Sequence, residues 1–132
     1  MLLTKLFTDL FVLLSAHYIG DYEFNSDYLV NTKGRSYYSL FTHCMLYTFA
    51  VVVGFVLVGN EFNLPLVVMI ILISHLIIDK IKCNYMTKIR LEYNRSSYSS
   101  LTLEMKENNA IIYDQIAHIA IVFFIYAACF IL

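Results

Sequence analysis

The stretch SYYSLFTHCMLYTFAVVVGFVLVGN, residues 36–60, carries no Asp, Glu, Lys or Arg. A helix needs about 20 predominantly apolar residues to cross a hydrocarbon core about 30 Å thick, and this run is long enough. Its neighbours extend the pattern. The residues between Glu61 and Asp79 are again uncharged, with Pro65 where a first helical turn tolerates a missing N–H. Gln115 to the terminal Leu132 contains no charge. The opening segment from Leu2 to Gly20 carries only Lys5 and Asp9, one helical turn apart, where they can pair near one end of a span. The sequence predicts an all-α protein, a four-helix transmembrane bundle with spans at about 2–20, 39–59, 64–82 and 113–131. The 132 residues are read as a single integral membrane domain.

Composition agrees with the spans. Apolar residues make up 60% of the chain and charged residues 14%, where about 25% is usual in soluble domains. The formal net charge is −1, which excludes a nucleic-acid binder working by bulk positive charge. Cys44 and Cys129 fall near opposite membrane faces and Cys83 in a connection, so no disulfide is expected. A signal peptide cut after Ala16 would place Leu14 at position −3 and Asp9 in the apolar run, and that reading is rejected.

Alternating helices put the first and third connections on one face of the membrane. Those connections hold Lys33, Arg35, Lys80, Lys82, Lys88, Arg90, Arg95 and Lys106, and only Lys5 is left opposite. The positive-inside rule then predicts an inner-membrane protein with cytoplasmic long connections and both termini outside. In the long connection between the third and fourth helices, Ile89, Leu91 and Tyr93 alternate with polar neighbours, and so do Leu101, Leu103 and Met105. That period fits a short β-hairpin closed by Asn94 to Ser100, or an interfacial helix. The segment after Asp21 reads as a continuation of the first helix to Thr32, stopped by Gly34. Gly59, Asn60 and Asn63 read as a tight turn.

The four histidines are the informative residues. His17 and Asp21, His75 and Asp79, and Asp114 and His118 are each spaced i to i+4, and His43 has Tyr47 one turn on. That spacing brings two side chains to one point of a helix, as paired metal ligands or a hydrogen-bonded pair require. With alternating helices, all of these ends lie at the same face. Seven candidate ligands, His17, Asp21, His43, His75, Asp79, Asp114 and His118, are thus expected in one layer at the cytoplasmic edge of the bundle.

Three chemistries suit such a layer. Imidazole and carboxylate are ligands of zinc and of mixed divalent sites, and one to three ions would use seven donors. A metal-activated water would then be the nucleophile for hydrolysis of a phosphoester at the membrane surface, with a lipid headgroup or nucleotide-like substrate. The leading alternative is a non-enzymatic membrane component in which the cluster is structural or metal-stabilised and function lies in oligomerisation or partner assembly. A proton or ion pathway is disfavoured, because the polar residues gather at one end. Lys82 is a candidate to bind a substrate phosphate, or else a topology anchor. Asn25, Tyr47 and Gln115 are candidates to orient the ligands. The partners compatible with these readings are the lipid bilayer and further copies of the chain.

In order, His17-x3-Asp21, His43, His75-x3-Asp79-x2-Lys82 and Asp114-Gln115-x2-His118 resemble the pattern of a family of small bacterial and phage multi-span proteins. Asn25 stands where that pattern has Gln. The segments His17-Tyr18-Ile19-Gly20-Asp21 and His75 to Asp79 are also distantly similar to inner-membrane metal-dependent hydrolases and to the zinc-dependent phospholipase C and single-strand nuclease group. The resemblance implies zinc ligation by these residues and phosphodiesterase ancestry.

Overall fold

The computed structural model describes residues 2–24, 26–59, 62–95 and 99–131. Helix α1 spans Leu2–Tyr18 and runs on through a π-helical turn at Ile19–Glu23. Short α2 covers Asp27–Thr32, α3 Tyr37–Val58, α4 Leu64–Arg95 and α5 Ser100–Ile131. Polar side chains start the later helices: Ser26 accepts from the Leu29 N–H, Ser36 from Ser39, Asn63 from Leu66 and Ser99 from Thr102. Each of these oxygens satisfies one of the amides that a first turn leaves without a partner. Gly59 ends α3 at φ 73°, the left-handed conformation that favours glycine there.

Among the described residues, four helices are long and apolar enough to cross a membrane, those containing α1, α3, α4 and α5. Their outward faces carry Phe7, Phe11, Phe49, Leu57, Ile73, Ile116 and Phe124, all exposed. A soluble monomer does not present so continuous an apolar surface, whereas lipid covers it without cost. The protein is a membrane protein by this measure. Inside, Leu13, Tyr47, Val51, Phe55, Val67, Ile71, Val122, Ile125 and Tyr126 form one core. Asp9 is buried beyond that core, where it accepts from Lys5 and Tyr126 at 2.7 and 2.8 Å.

Two expectations are corrected. Of the two alternatives for Lys80 to Tyr113, helix holds and the β-hairpin does not: α4 continues to Arg95, α5 starts at Ser100, and no strand occurs among the described residues, which leave out 96–98 in the expected hairpin turn. No Gly or Pro interrupts the chain after Pro65, and the stretch is rich in Lys, Arg, Leu, Met and Glu, which favour helix. Ile89 is buried while Leu91 is exposed, so the alternation does not define one face of a sheet. Arg90 donates to Glu107 at 2.6 Å and ties the two extensions together. At about 1.5 Å per residue they reach roughly 20 Å past Lys82. The second correction concerns the segment after Asp21. Helix does reach Thr32, but as a separate element that Ser26 restarts, with Gly34 in the turn that follows.

The crossing of α1 on α3 depends on small residues. A Cβ on Gly54 would come within 2.7 Å of the Ala16 Cβ, and one on Gly20 within 3.1 Å of the Tyr47 Cα. In lipid, where no hydrophobic force drives helices together, such close approach is a main source of association. Gly54→Leu should therefore separate α1 from α3 and cost about 1–3 kcal/mol. Unfolding in detergent measures this, and an unchanged transition would contradict the packing described.

Candidate functional site

One to two turns beyond the apolar core, every spanning helix turns polar residues inward. All four histidines and Asp21, Asp79 and Asp114 are buried, and His43 and Asp79 are fully so. Alternating helix directions bring the end of α1, the start of α3 and the middles of α4 and α5 to one level. Helices α4 and α5 pass straight through it, which is why His75, Asp79, Asp114 and His118 sit mid-helix.

The π turn sets the α1 contribution. Its extra residue per turn re-aims the helix end, a device often found at functional sites. Gly20, lacking a Cβ, lets the turn lie against the α3 backbone. His17 and Asp21 then meet the same partner from α5: Gln115 accepts from His17 Nε2 at 3.0 Å and donates to Asp21 Oδ2. The Gln115 amide must turn its NH₂ toward Asp21 and Asp114, so its oxygen faces His17, and His17 carries its proton on Nε2. Tyr47 therefore donates to His17 Nδ1, at 2.9 Å. The Tyr47 ring also stacks on His75 at 3.8 Å, and His75 stacks on His118 at 4.1 Å.

At the centre stands His43 Nε2. It lies 3.1 Å from His75 Nε2, 3.2 Å from Asp79 Oδ2, 3.3 Å from Asp21 Oδ1 and 3.4 Å from Lys33 Nζ. A single ring proton cannot serve two carboxylates and a second imidazole together. On the other side of Asp79, His118 Nε2 is 3.4 Å from Asp114 Oδ1 and 3.9 Å from Asp79 Oδ1. Among the described residues, His43 Nδ1 and His75 Nδ1 are buried without a hydrogen-bond partner, and Asp21 Oδ1, Asp114 Oδ1 and His118 Nε2 have only the 3.3–3.4 Å contacts just given, which do not align as hydrogen bonds. So many unsatisfied groups in one place are unusual, since native interiors pair nearly all of theirs.

Two lysines enter the same layer. Lys33, from the turn after α2, donates to Asp79 Oδ2 at 3.2 Å. Lys82 lies 2.9 Å from Asp79 Oδ1 and donates to Asp114 Oδ2 at 2.6 Å. Three carboxylates thus face two ammonium groups before any further cation is counted. The sequence reading had Lys33 only as one of the basic residues that orient the protein; a lysine beside a glycine in a connection carries no signal that it folds back inside. Of the residues expected to ligate, the structure brings all seven together, but His17 uses both ring nitrogens on Tyr47 and Gln115. Asn25 lies outside the described residues.

Donor atoms of Asp21, His43 and His75 lie within 4.8 Å of one another, and so do those of Asp79, Asp114 and His118. Cys44, His75 and Asp79 form a third such group, which the sequence reading did not anticipate. Each of these groups could hold a metal ion, imidazole and carboxylate being ligands of divalent sites.

Fold and site together define an all-α membrane protein with a buried His/Asp/Lys cluster inside its bundle. The chain belongs to the family described as Protein of unknown function (DUF3307), which matches residues 10–132. No curated protein and no solved structure matches it.

The pairing of Lys33 with Asp79 is open to direct measurement. Removing one partner of a buried ion pair costs about 3–5 kcal/mol, because the other charge stays behind. Lys33→Met and Asp79→Asn should each destabilise the metal-free protein, and the double variant should lose less than the sum by 0.5 kcal/mol or more, on the order expected for groups in contact. Additive losses in a detergent unfolding cycle would contradict the contact.

Proposed function

We propose that the cluster binds one or two divalent ions, zinc foremost, and that the protein hydrolyses a phosphoester at the membrane face where the site lies. The observation that carries this reading is a pair of buried His/Asp groups, Asp21 with His43 and His75 and Asp79 with Asp114 and His118, each with donor atoms within 4.8 Å of one another. The ligands would be Asp21, His43 and His75 on one side and Asp79, Asp114 and His118 on the other. When bound, such ions supply Lewis acidity and a water whose pKa is brought toward neutrality. The chain's own residues do the rest. Gln115 and Tyr47 fix His17 in one tautomer and hold the α1 end against α3 and α5. Lys82, at the edge of the layer, would meet a phosphate oxygen once bound ions take over its partners Asp79 and Asp114, and Lys33 balances the carboxylate charge of Asp79. The motif resemblance to inner-membrane metal-dependent hydrolases supports the same reading. The distribution of basic residues supports an inner-membrane setting in a bacterium or phage host, with the cluster toward the cytoplasm and both termini outside.

A second reading has its own support. Lys33 and Lys82 already oppose the carboxylates, so the layer also suits a structural lock in a membrane component that works by assembly with copies or partners.

Elemental analysis of detergent-purified protein separates the two. Wild type should carry zinc or another divalent ion, and His75→Ala should lose most of it while keeping its helical content. Turnover of a generic phosphodiester should vanish with chelation and return with metal. Metal without turnover would favour the lock, and neither metal nor turnover would overturn the hydrolase.

A further inference from the structure

Among the described residues, Cys44 is the one cysteine whose sulfur joins a group of three ligand atoms: its Sγ, a nitrogen of His75 and a carboxylate oxygen of Asp79 lie within 4.8 Å of one another. All three residues are buried, and His75 Nδ1 has no hydrogen-bond partner. Cys83, one turn beyond Asp79 on α4, and Cys129, toward the other end of the bundle, belong to no such group. Cys44 follows His43 directly on α3, yet the two serve different groups. The Cys44 group overlaps both of the others, sharing His75 with Asp21 and His43, and Asp79 with Asp114 and His118. A neutral imidazole has one lone pair to give, so His75 ligates one ion at a time. That sharing makes the Cys44 group and the Asp21–His43 group alternatives, not neighbours.

We propose that Cys44, His75 and Asp79 form a seat for a thiophilic divalent cation of the cadmium type, alternative to the seat at Asp21, His43 and His75. Donor chemistry chooses the occupant. Thiolate is a soft ligand that selects soft, polarisable ions, whereas the imidazole and carboxylate of the other groups suit harder and borderline ones. As the metal–sulfur bond forms, the thiol gives up its proton to the medium. The ion takes the place of Lys33 at Asp79, whose ammonium contact of 3.2 Å is longer than the 2.9 Å contact of Lys82. For its consequence the proposal rests on the hydrolase reading: an ion seated at Cys44 engages one ligand from each of the two His/Asp groups, and so inhibits the hydrolase. The binding itself does not require turnover.

The test uses the full chain in detergent, with cadmium ion alone as the probe. Cys83→Ser and Cys129→Ser together leave Cys44 as the remaining thiol. Cadmium should then give the ultraviolet sulfur-to-metal charge-transfer band, saturating at one ion per chain, and absorption at the cadmium edge should show one sulfur among nitrogen and oxygen neighbours. Adding Cys44→Ser should abolish the band. Adding His75→Ala in its place should weaken cadmium binding by more than an order of magnitude, which a thiol acting alone would not show. No band with Cys44 as the remaining thiol, or a band indifferent to His75, overturns the seat. If cadmium binds through Cys44 and His75 in a protein that holds no zinc and turns over no ester, the seat stands and the hydrolase reading alone falls. If ester is turned over with zinc while cadmium binds without sulfur, the seat alone falls.

Discussion

A fully buried carboxylate is the constraint around which this bundle is arranged. Asp79 sits at the centre of four helices with no access to water, and an isolated charge there would cost several kcal/mol. Every spanning helix and the turn after α2 answer it directly or through one intermediate. Lys82 and His75 come from its own helix, His43 from α3, His118 from α5 and Lys33 from the turn, while Asp21 from α1 is joined through His43. In lipid, packing alone discriminates weakly between helix arrangements, because acyl chains are as apolar as leucine. A charge that needs partners from every direction adds the discrimination that packing lacks.

The neighbouring features follow from that centre. The π turn and Gly20 let α1 end close enough to α3 for Asp21 to reach His43. Small residues at Gly54 and Ala16 keep the same two helices in contact one layer away. Gln115 joins the α1 end to α5 by binding His17 and Asp21 at once. Yet the compensation is incomplete. Several imidazole and carboxylate atoms of the layer make no hydrogen bond among the described residues, so the network is not closed.

Much of the fold was legible in the sequence, because a membrane span is a length-and-charge signal that needs no tertiary information. Uncharged runs around Val51, Ile71 and Phe123 mark three of the spans, and Asp9 and Lys5 do not hide the first. The polar layer was legible too, since helix direction alone sorts His17, His43, His75 and His118 to one level. What the sequence did not disclose depends on contacts at a distance. Whether Ile89 and Leu91 belong to a strand or a helix is ambiguous over so short a stretch, and the helix wins through the absence of breakers and the pairing of α4 with α5. Lys33 reaches Asp79 only because a turn folds it back, and nothing local announces that. Gln115 was a candidate to orient the ligands, and that it reaches His17 and Asp21 across from α5 to α1 is visible only once those helices are side by side. Cys44 gives no spacing motif with His75 or Asp79, so its proximity to them emerges only from packing.

We propose that imidazole and carboxylate groups from different helices converge on each bound ion. X-ray absorption at the zinc edge of the zinc-loaded protein tests it most directly. Nitrogen and oxygen neighbours should appear at about 2.0–2.2 Å, with the multiple scattering of at least two imidazoles. Zinc with only water-like oxygen neighbours, or dominated by sulfur at about 2.3 Å, would contradict it.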